Sequence, residues 1–244
     1  MERIIERTDD GSATLFVPEL NEHYHSTKGA RTESQHIFID MGLKASPAAT
    51  PRVLEIGFGT GLNAWLTLEE AERSRRNIHY IGLELYPLDW QTVEQLGYIS
   101  SDEQLTIHRK QTTTDEQFTP NEEKQQSAIE LFKQLHTSPW EKDVQLTPHF
   151  TLRKIETDVN KWRVENSPFN LVYFDAFAPE KQPEMWSQEL FNRLYVLLDR
   201  DGILTTYCAK GVVRRMLQTA GFTVERLPGP PGGKREILRA RKQE

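Results

Sequence analysis

Residues 52–74 read RVLEIGFGTGLNAWLTLEEAERS: a short apolar run after Pro51, glycines at alternate positions (Gly57, Gly59, Gly61), then Leu62, Trp65, Leu66 and Leu68 at helical spacing. Glycines where a chain leaves a buried strand and turns into a helix let backbone approach a ligand, as in the first turn of a doubly wound α/β sheet. The next apolar run, residues 78–85, carries Glu84 near its end, and the two runs begin a βαβ unit with parallel strands.

A nicotinamide-dinucleotide loop requires G-x-G-x-x-G, but Leu62 stands at the third glycine and Glu55 sits just ahead of the loop. An acidic residue there suits a cationic methionine moiety rather than a pyrophosphate, which points to S-adenosyl-L-methionine. Glu84, about twenty residues past the loop, is placed to take both ribose hydroxyls. Asp158 ends the third strand and is placed to take the adenine amine. Glu55, Gly57, Gly59, Thr60, Gly61, Asn63, Glu84, Asp158 and Asp175 are therefore the expected cofactor set. A methyltransferase on a Rossmann-like doubly wound sheet is the implied fold class and activity.

Asp175 follows the fourth apolar run, in Tyr173-Phe174-Asp175-Ala176-Phe177-Ala178-Pro179. Methyl transfer needs an unprotonated nucleophile held in line, and Asp175 is expected to orient an amine through its N–H groups, with Phe177 stacking on a planar base. The plainer alternatives are a strand-terminal aspartate that caps a turn and a phenylalanine that belongs to the core. Cys208, the single cysteine, reads as a small buried hydrophobe. No metal is expected, and His23, His25 and His36 read as structural or surface residues.

Around this centre, residues 4–8 and 13–17 flank Asp10-Gly11 as a β-hairpin, so residues 1–50 form an N-terminal extension to a core over 51–244. Strand patterns recur at 150–155, 170–175, 202–207, 222–226 and 236–240, with helical patterns at 189–198 and 212–220. Residues 100–148 are rich in Gln, Thr, Glu and Lys. Only 128–135 show apolar spacing there, so the stretch reads as a small inserted helical element with flexible flanks. Without a basic-then-apolar leader or a long apolar stretch, the expected location is cytoplasmic, with no membrane association. The net charge of -6 sets a field against nucleic acid. From Tyr207 onward the chain is nonetheless basic, with Arg239, Arg241 and Lys242 expected to form a solvated terminus and Lys210, Arg214, Arg215, Lys234 and Arg235 a phosphate-binding rim.

Taken together, Asp10-Gly11-Ser12 with Tyr24 and Ser26, residues 55–63, Asp158-Val159-Asn160, residues 174–179, Pro183-Glu184-Met185-Trp186 and Lys234-Arg235-Glu236 resemble, nearly end to end, the methyltransferase domain of bacterial tRNA 5-methylaminomethyl-2-thiouridine biosynthesis enzymes and their stand-alone relatives. The resemblance implies methylation of the primary amine of 5-aminomethyl-(2-thio)uridine at the tRNA wobble position. It implies tRNA, through its anticodon stem-loop, as partner, and Tyr24, Ser26, Pro179, Lys234 and Arg235 as substrate-side residues. The bifunctional members carry a flavin-dependent oxidase domain after this one; this chain stops soon after its last strand, which implies a monofunctional enzyme without flavin. Cys208, where relatives carry serine, and the polar stretch 100–148 depart from the family pattern. The rival readings are a small-molecule amine methyltransferase or aminopropyltransferase, an RNA-binding module without catalysis, and a nicotinamide-dependent oxidoreductase.

Overall fold

A computed structural model of the chain describes residues 2–108, 123–163 and 168–243. In chain order, β1 (Ile4–Arg7), β2 (Ala13–Val17) and β3 (Glu22–His23) form a small antiparallel sheet, followed by α1 (Ala30–Ser34), which runs into a wider π-helical turn over Gln35–Asp40. The core then runs β4 (Arg52–Ile56), α2 (Leu62–Ser74), β5 (Ile78–Glu84), α3 (Trp90–Glu94), β6 (Gln104–His108), β7 (Glu123–Ser127), α4 (Ala128–Thr137), β8 (Asp143–Thr147) and β9 (Phe150–Glu156). It closes with β10 (Phe169–Phe174), α5 (Gln188–Leu197), β11 (Leu198–Thr206), α6 (Gly211–Thr219), β12 (Thr223–Pro228) and β13 (Glu236–Arg241).

Eight strands form one sheet in the order β12-β13-β11-β10-β4-β5-β9-β8. The five strands from β11 to β9 pair in parallel, and the outer strands pair antiparallel. From β4 the chain builds outward through β5 to β9, then crosses back to lay β10 on the other side of β4. That reversal opens a crevice at the carboxyl ends of β4 and β10, where doubly wound sheets bind ligands.

Helices cover both faces because the central strands are apolar on both. One face packs Phe38, Trp65 and Phe132 with Tyr80 and Tyr173; the other packs Trp186, Phe191 and Leu217 with Phe174 and Val172. The expected doubly wound sheet and N-terminal hairpin are present.

The stretch 100–148 differs from expectation. α4 spans the expected helix, but its flanks are ordered strands: β6 and β7 pair as an antiparallel ribbon, and β8 extends the main sheet along β9. Gln104 on β6, Gln125 on β7 and Asp143 and Gln145 on β8 are exposed, while Leu131, Phe132 and Leu135 are fully buried. Phe132 is the anchor, edge-on to Trp65 and Trp90 at 5.7 and 5.9 Å between ring centroids. Residues 109–122 of the expected insertion lie outside the described residues.

Candidate active site

Alternation along β4 sends Leu54 and Ile56 into the core beneath α5 and α6, and turns Val53 and Glu55 toward α2. Glu55 is fully buried and accepts a hydrogen bond from Asn63 Nδ2 at 2.9 Å; the same amide donates to Asp175 Oδ2 at 2.8 Å. Burial holds the Glu55 carboxyl well above the usual range, with Asn63 opposing and the Asp175 charge adding to it. Glu55 was expected against the cofactor. It stands instead behind Asn63 and Asp175, outside the cavity wall, as a carboxyl that favours its neutral form.

In front of it lies a cavity of about 800 Å³, lined by the glycine loop, the ends of β5, β9 and β10, and the N-terminal extension. Gly57 has φ +89°, and a Cβ there would lie 2.7 Å from the Asp175 carbonyl oxygen. Gly59 has φ +50° and faces the Tyr24 ring, which a Cβ would meet at 3.2 Å. Gly61 was also expected at the cofactor, but it lies outside the lining. Its φ of +71° and a would-be contact of 2.6 Å with His136 Nε2 make it the residue that lets α4 close on the loop.

Glu84 holds the loop from the side. One oxygen accepts the Gly59 N–H at 2.8 Å and the other accepts those of Leu85 and Tyr86, each at 2.9 Å. Asp158, at the end of the next strand, accepts the Asn160 N–H at 2.9 Å and lies 3.5 Å from Lys161 Nζ. The Thr60 hydroxyl meets His25 Nε2 at 2.9 Å, and the Thr60 carbonyl accepts from His136 Nε2 at 3.0 Å. Thr60 thereby links the loop to the extension and to α4. Burial lowers both imidazoles, His25 to about 4 and His136 to about 3.

The opposite wall carries Tyr24, Ser26, Phe177, Pro179, Lys234 and Arg235, the residues expected on the substrate side together with the proposed stacking ring. Phe177 is edge-on to Tyr24 at 5.1 Å, its N–H donates to Gln182 Oε1, and its carbonyl accepts the Trp186 indole N–H at 2.7 Å. Asp175 sits partly buried between the walls, and burial together with the nearby Glu33 charge pushes its carboxyl up to about 7 against the opposing pull of Asn63 and Lys234.

Glu33 and Tyr207 stand in the wall without having been singled out from sequence. Glu33, on α1, is 7% exposed, accepts the Ser26 N–H at 2.8 Å and lies 3.3 Å from Lys234 Nζ. Nothing in a five-residue polar helix signals that role. Tyr207, whose hydroxyl donates to the Ala176 carbonyl at 2.8 Å, directly follows β11, so the strand-end rule that selects Asp175 could have selected it too.

The basic rim is smaller than expected. Lys210 pairs with Glu180 beside the cavity, whereas Arg214 and Arg215 on α6 do not line it. The expected solvated terminus is a correction as well. Arg239 and Arg241 lie in β13 between two strands and share Glu225 at 2.6 and 3.0 Å, and Lys242 donates to the carbonyls of Tyr195 and Leu198.

S-adenosyl-L-methionine presents a sulfonium, an amino-acid group, a ribose diol and an adenine amine. The chain offers the Gly57–Thr60 loop along the cavity wall, a buried Asn63 Oδ1 without a partner among the described residues, and carboxylates at the ends of β5 and β9. This donor and acceptor set suits that molecule.

Comparison with known proteins agrees in fold and family. The tRNA 5-methylaminomethyl-2-thiouridine biosynthesis bifunctional protein MnmC of Cupriavidus metallidurans is 29% identical over 251 residues, covering 99% of this chain and 35% of that protein. The protein of the same name from Magnetococcus marinus is 30% identical over 238 residues, covering 93% and 32%. The chain thus spans about a third of the length of these relatives. The crystal structure of MnmC2 from Aquifex aeolicus superimposes with a TM-score of 0.70 at 24% identity, covering 98% of this chain and 70% of that one, and shares its fold. A family model described as S-adenosyl-L-methionine-dependent methyltransferase matches residues 119–243, and the chain belongs to that family.

Proposed function

We propose that this methyltransferase converts 5-aminomethyl-(2-thio)uridine to 5-methylaminomethyl-(2-thio)uridine at the wobble position of tRNA, in the cytoplasm, engaging the anticodon stem-loop. The observation that carries the reading is Asp175: a carboxyl at the switch point of the sheet, held by Asn63 and facing a cavity with an acidic wall and aromatic edges. The names of the curated relatives support the acceptor. In this reading residues 1–50 supply the acceptor-side wall and the core over 51–244 supplies the cofactor side.

Glu84 takes the ribose hydroxyls, Asp158 the adenine amine, and Asn63 with the backbone of Gly57, Gly59 and Thr60 the amino-acid end. When bound, the cofactor supplies a methyl group on a sulfonium. Asp175 accepts an N–H of the acceptor amine and so aims its lone pair, which is where orientation contributes most to the rate. Burial raises the Asp175 carboxyl to about 7, which makes it a better proton acceptor for that nitrogen than an ordinary carboxylate. Tyr24 and Phe177 bound the base, and Pro179 stiffens the loop that carries Phe177. Arg235, exposed at the rim, meets phosphate.

A small-molecule amine methyltransferase or aminopropyltransferase is the competing reading, favoured by the pairing of Lys210 and Lys234 with carboxylates, which leaves few cations for phosphates. One experiment decides. The protein is incubated with S-adenosyl-L-methionine and tRNA from cells that cannot complete this modification, and wobble nucleosides are identified by mass spectrometry. Appearance of the methylaminomethyl nucleoside is the expected result; cofactor binding without conversion transfers the case to a small amine.

A further inference from the structure

Lys234, expected on a phosphate-binding rim, is paired with a carboxylate in the cavity wall. It stands on the Pro/Gly loop between β12 and β13, and its side chain, 44% exposed, reaches inward to the carboxylate of the buried Glu33. Its ammonium also rests over the face of Tyr207, 3.8 Å from the ring centroid. A carboxylate and an aromatic face are the partners that an alkylammonium ligand seeks. Asp175 lines the same cavity and feels the charges of both Glu33 and Lys234. Among the described residues the lysine makes one carboxylate contact, at 3.3 Å, for a group with three donors.

Resting on the reading that the acceptor is a primary amine, we propose that Glu33, the Tyr207 ring and Asp175 form the subsite for the acceptor's ammonium group, and that Lys234 is a resident stand-in which the substrate displaces. The incoming ammonium replaces one cation by another, so the buried Glu33 is not left without a counter-charge while the acceptor enters. Once seated, the ammonium passes one proton to the Asp175 carboxylate, leaving a neutral amine with a free lone pair beside a neutral acid. Lys234, on an exposed loop, swings outward to solvent or to the acceptor's own phosphates. Glu33 and Tyr207 thereby select amines over hydroxyl or carbonyl acceptors, because only a cationic acceptor displaces the lysine without stripping the Glu33 carboxylate of its counter-charge on entry.

The test uses propylammonium as probe, with neither RNA nor cofactor present, and calorimetry or ligand-detected NMR as the readout. Lys234→Ala, a truncation at an exposed position, should bind propylammonium about tenfold more tightly than the parent chain, a difference of about 1.4 kcal/mol. Adding Glu33→Gln or, separately, Tyr207→Leu should remove that gain. The second of these keeps the test sound if loss of the Ser26 contact unsettles Glu33→Gln. No gain in Lys234→Ala, or a gain that survives both additions, overturns the subsite. Propylammonium binding together with an unmethylated wobble nucleoside would keep the subsite and remove tRNA as acceptor, so the two readings fail separately.

Discussion

Asn63 makes one amide do two jobs, donating to Glu55 behind it and to Asp175 in front. Asp175 is thereby fixed in orientation while its charge stays costly. Asp175→Asn keeps the shape and an acceptor for Asn63 but loses the charge and the proton site, so turnover should fall by at least about a hundredfold with cofactor affinity nearly unchanged. Single-turnover rates alongside calorimetry check this, and unaltered turnover would remove Asp175 from the chemistry. Besides its proposed ribose contact, Glu84 gathers the N–H groups of Gly59, Leu85 and Tyr86. Glu84→Ala should weaken S-adenosyl-L-methionine by about ten- to a hundredfold. A titration showing parental affinity would refute the ribose assignment.

Among the elements, the glycine loop is where backbone geometry and chemistry coincide. Gly57 combines a left-handed φ of +89° with a Cβ position 2.7 Å from the Asp175 carbonyl oxygen, so no side chain fits without moving β10. Gly97 has a similar φ of +62° but nothing within 4 Å. Gly97→Ala should therefore cost only the backbone strain, about 1–2 kcal/mol. Gly57→Ala should cost more in urea denaturation and should also displace Asp175, lowering turnover; equal effects of the two substitutions would show that the contact does not matter. α4 braces the same loop through His136, and that helix was legible in the sequence from its apolar spacing at Leu131, Phe132 and Leu135. The strands beside it were not, because β6, β7 and β8 are short and polar, and strands of that kind are stabilised by their pairing partners more than by their own residues.

At the scale of the whole molecule, buried titratable groups couple the fold to pH. The native His25 and His136 imidazoles stay neutral down to about 4 and 3, while unfolded histidines take a proton near 6.5, so both contribute stability that is lost as pH falls below 6.5. Asp175 runs the other way. Its native carboxyl keeps a proton up to about 7 and its unfolded one releases it near 3.8, so it withdraws stability as pH rises between those values. From pH 6 down to 4.5 the two histidines outweigh the aspartate by about one proton, which predicts a loss of roughly 1.4 kcal/mol per pH unit from these groups. Asp175→Asn removes the opposing contribution and should roughly double that slope, while making the protein more stable at pH 8. Urea midpoints across this range check both signs, and a slope unchanged by the substitution would contradict the raised Asp175 carboxyl. By itself the sequence determined the glycine loop, the alternation of strands and helices, and the acids at the strand ends, because each follows from local backbone demands and periodicity within a few neighbouring residues. Only the tertiary structure decided that Glu55 stands behind Asn63, that Gly61 serves α4, and that Glu33, Tyr207 and Lys234 meet. Those facts depend on segments up to two hundred residues apart, and which side chain ends in front is fixed by packing that local pattern does not encode.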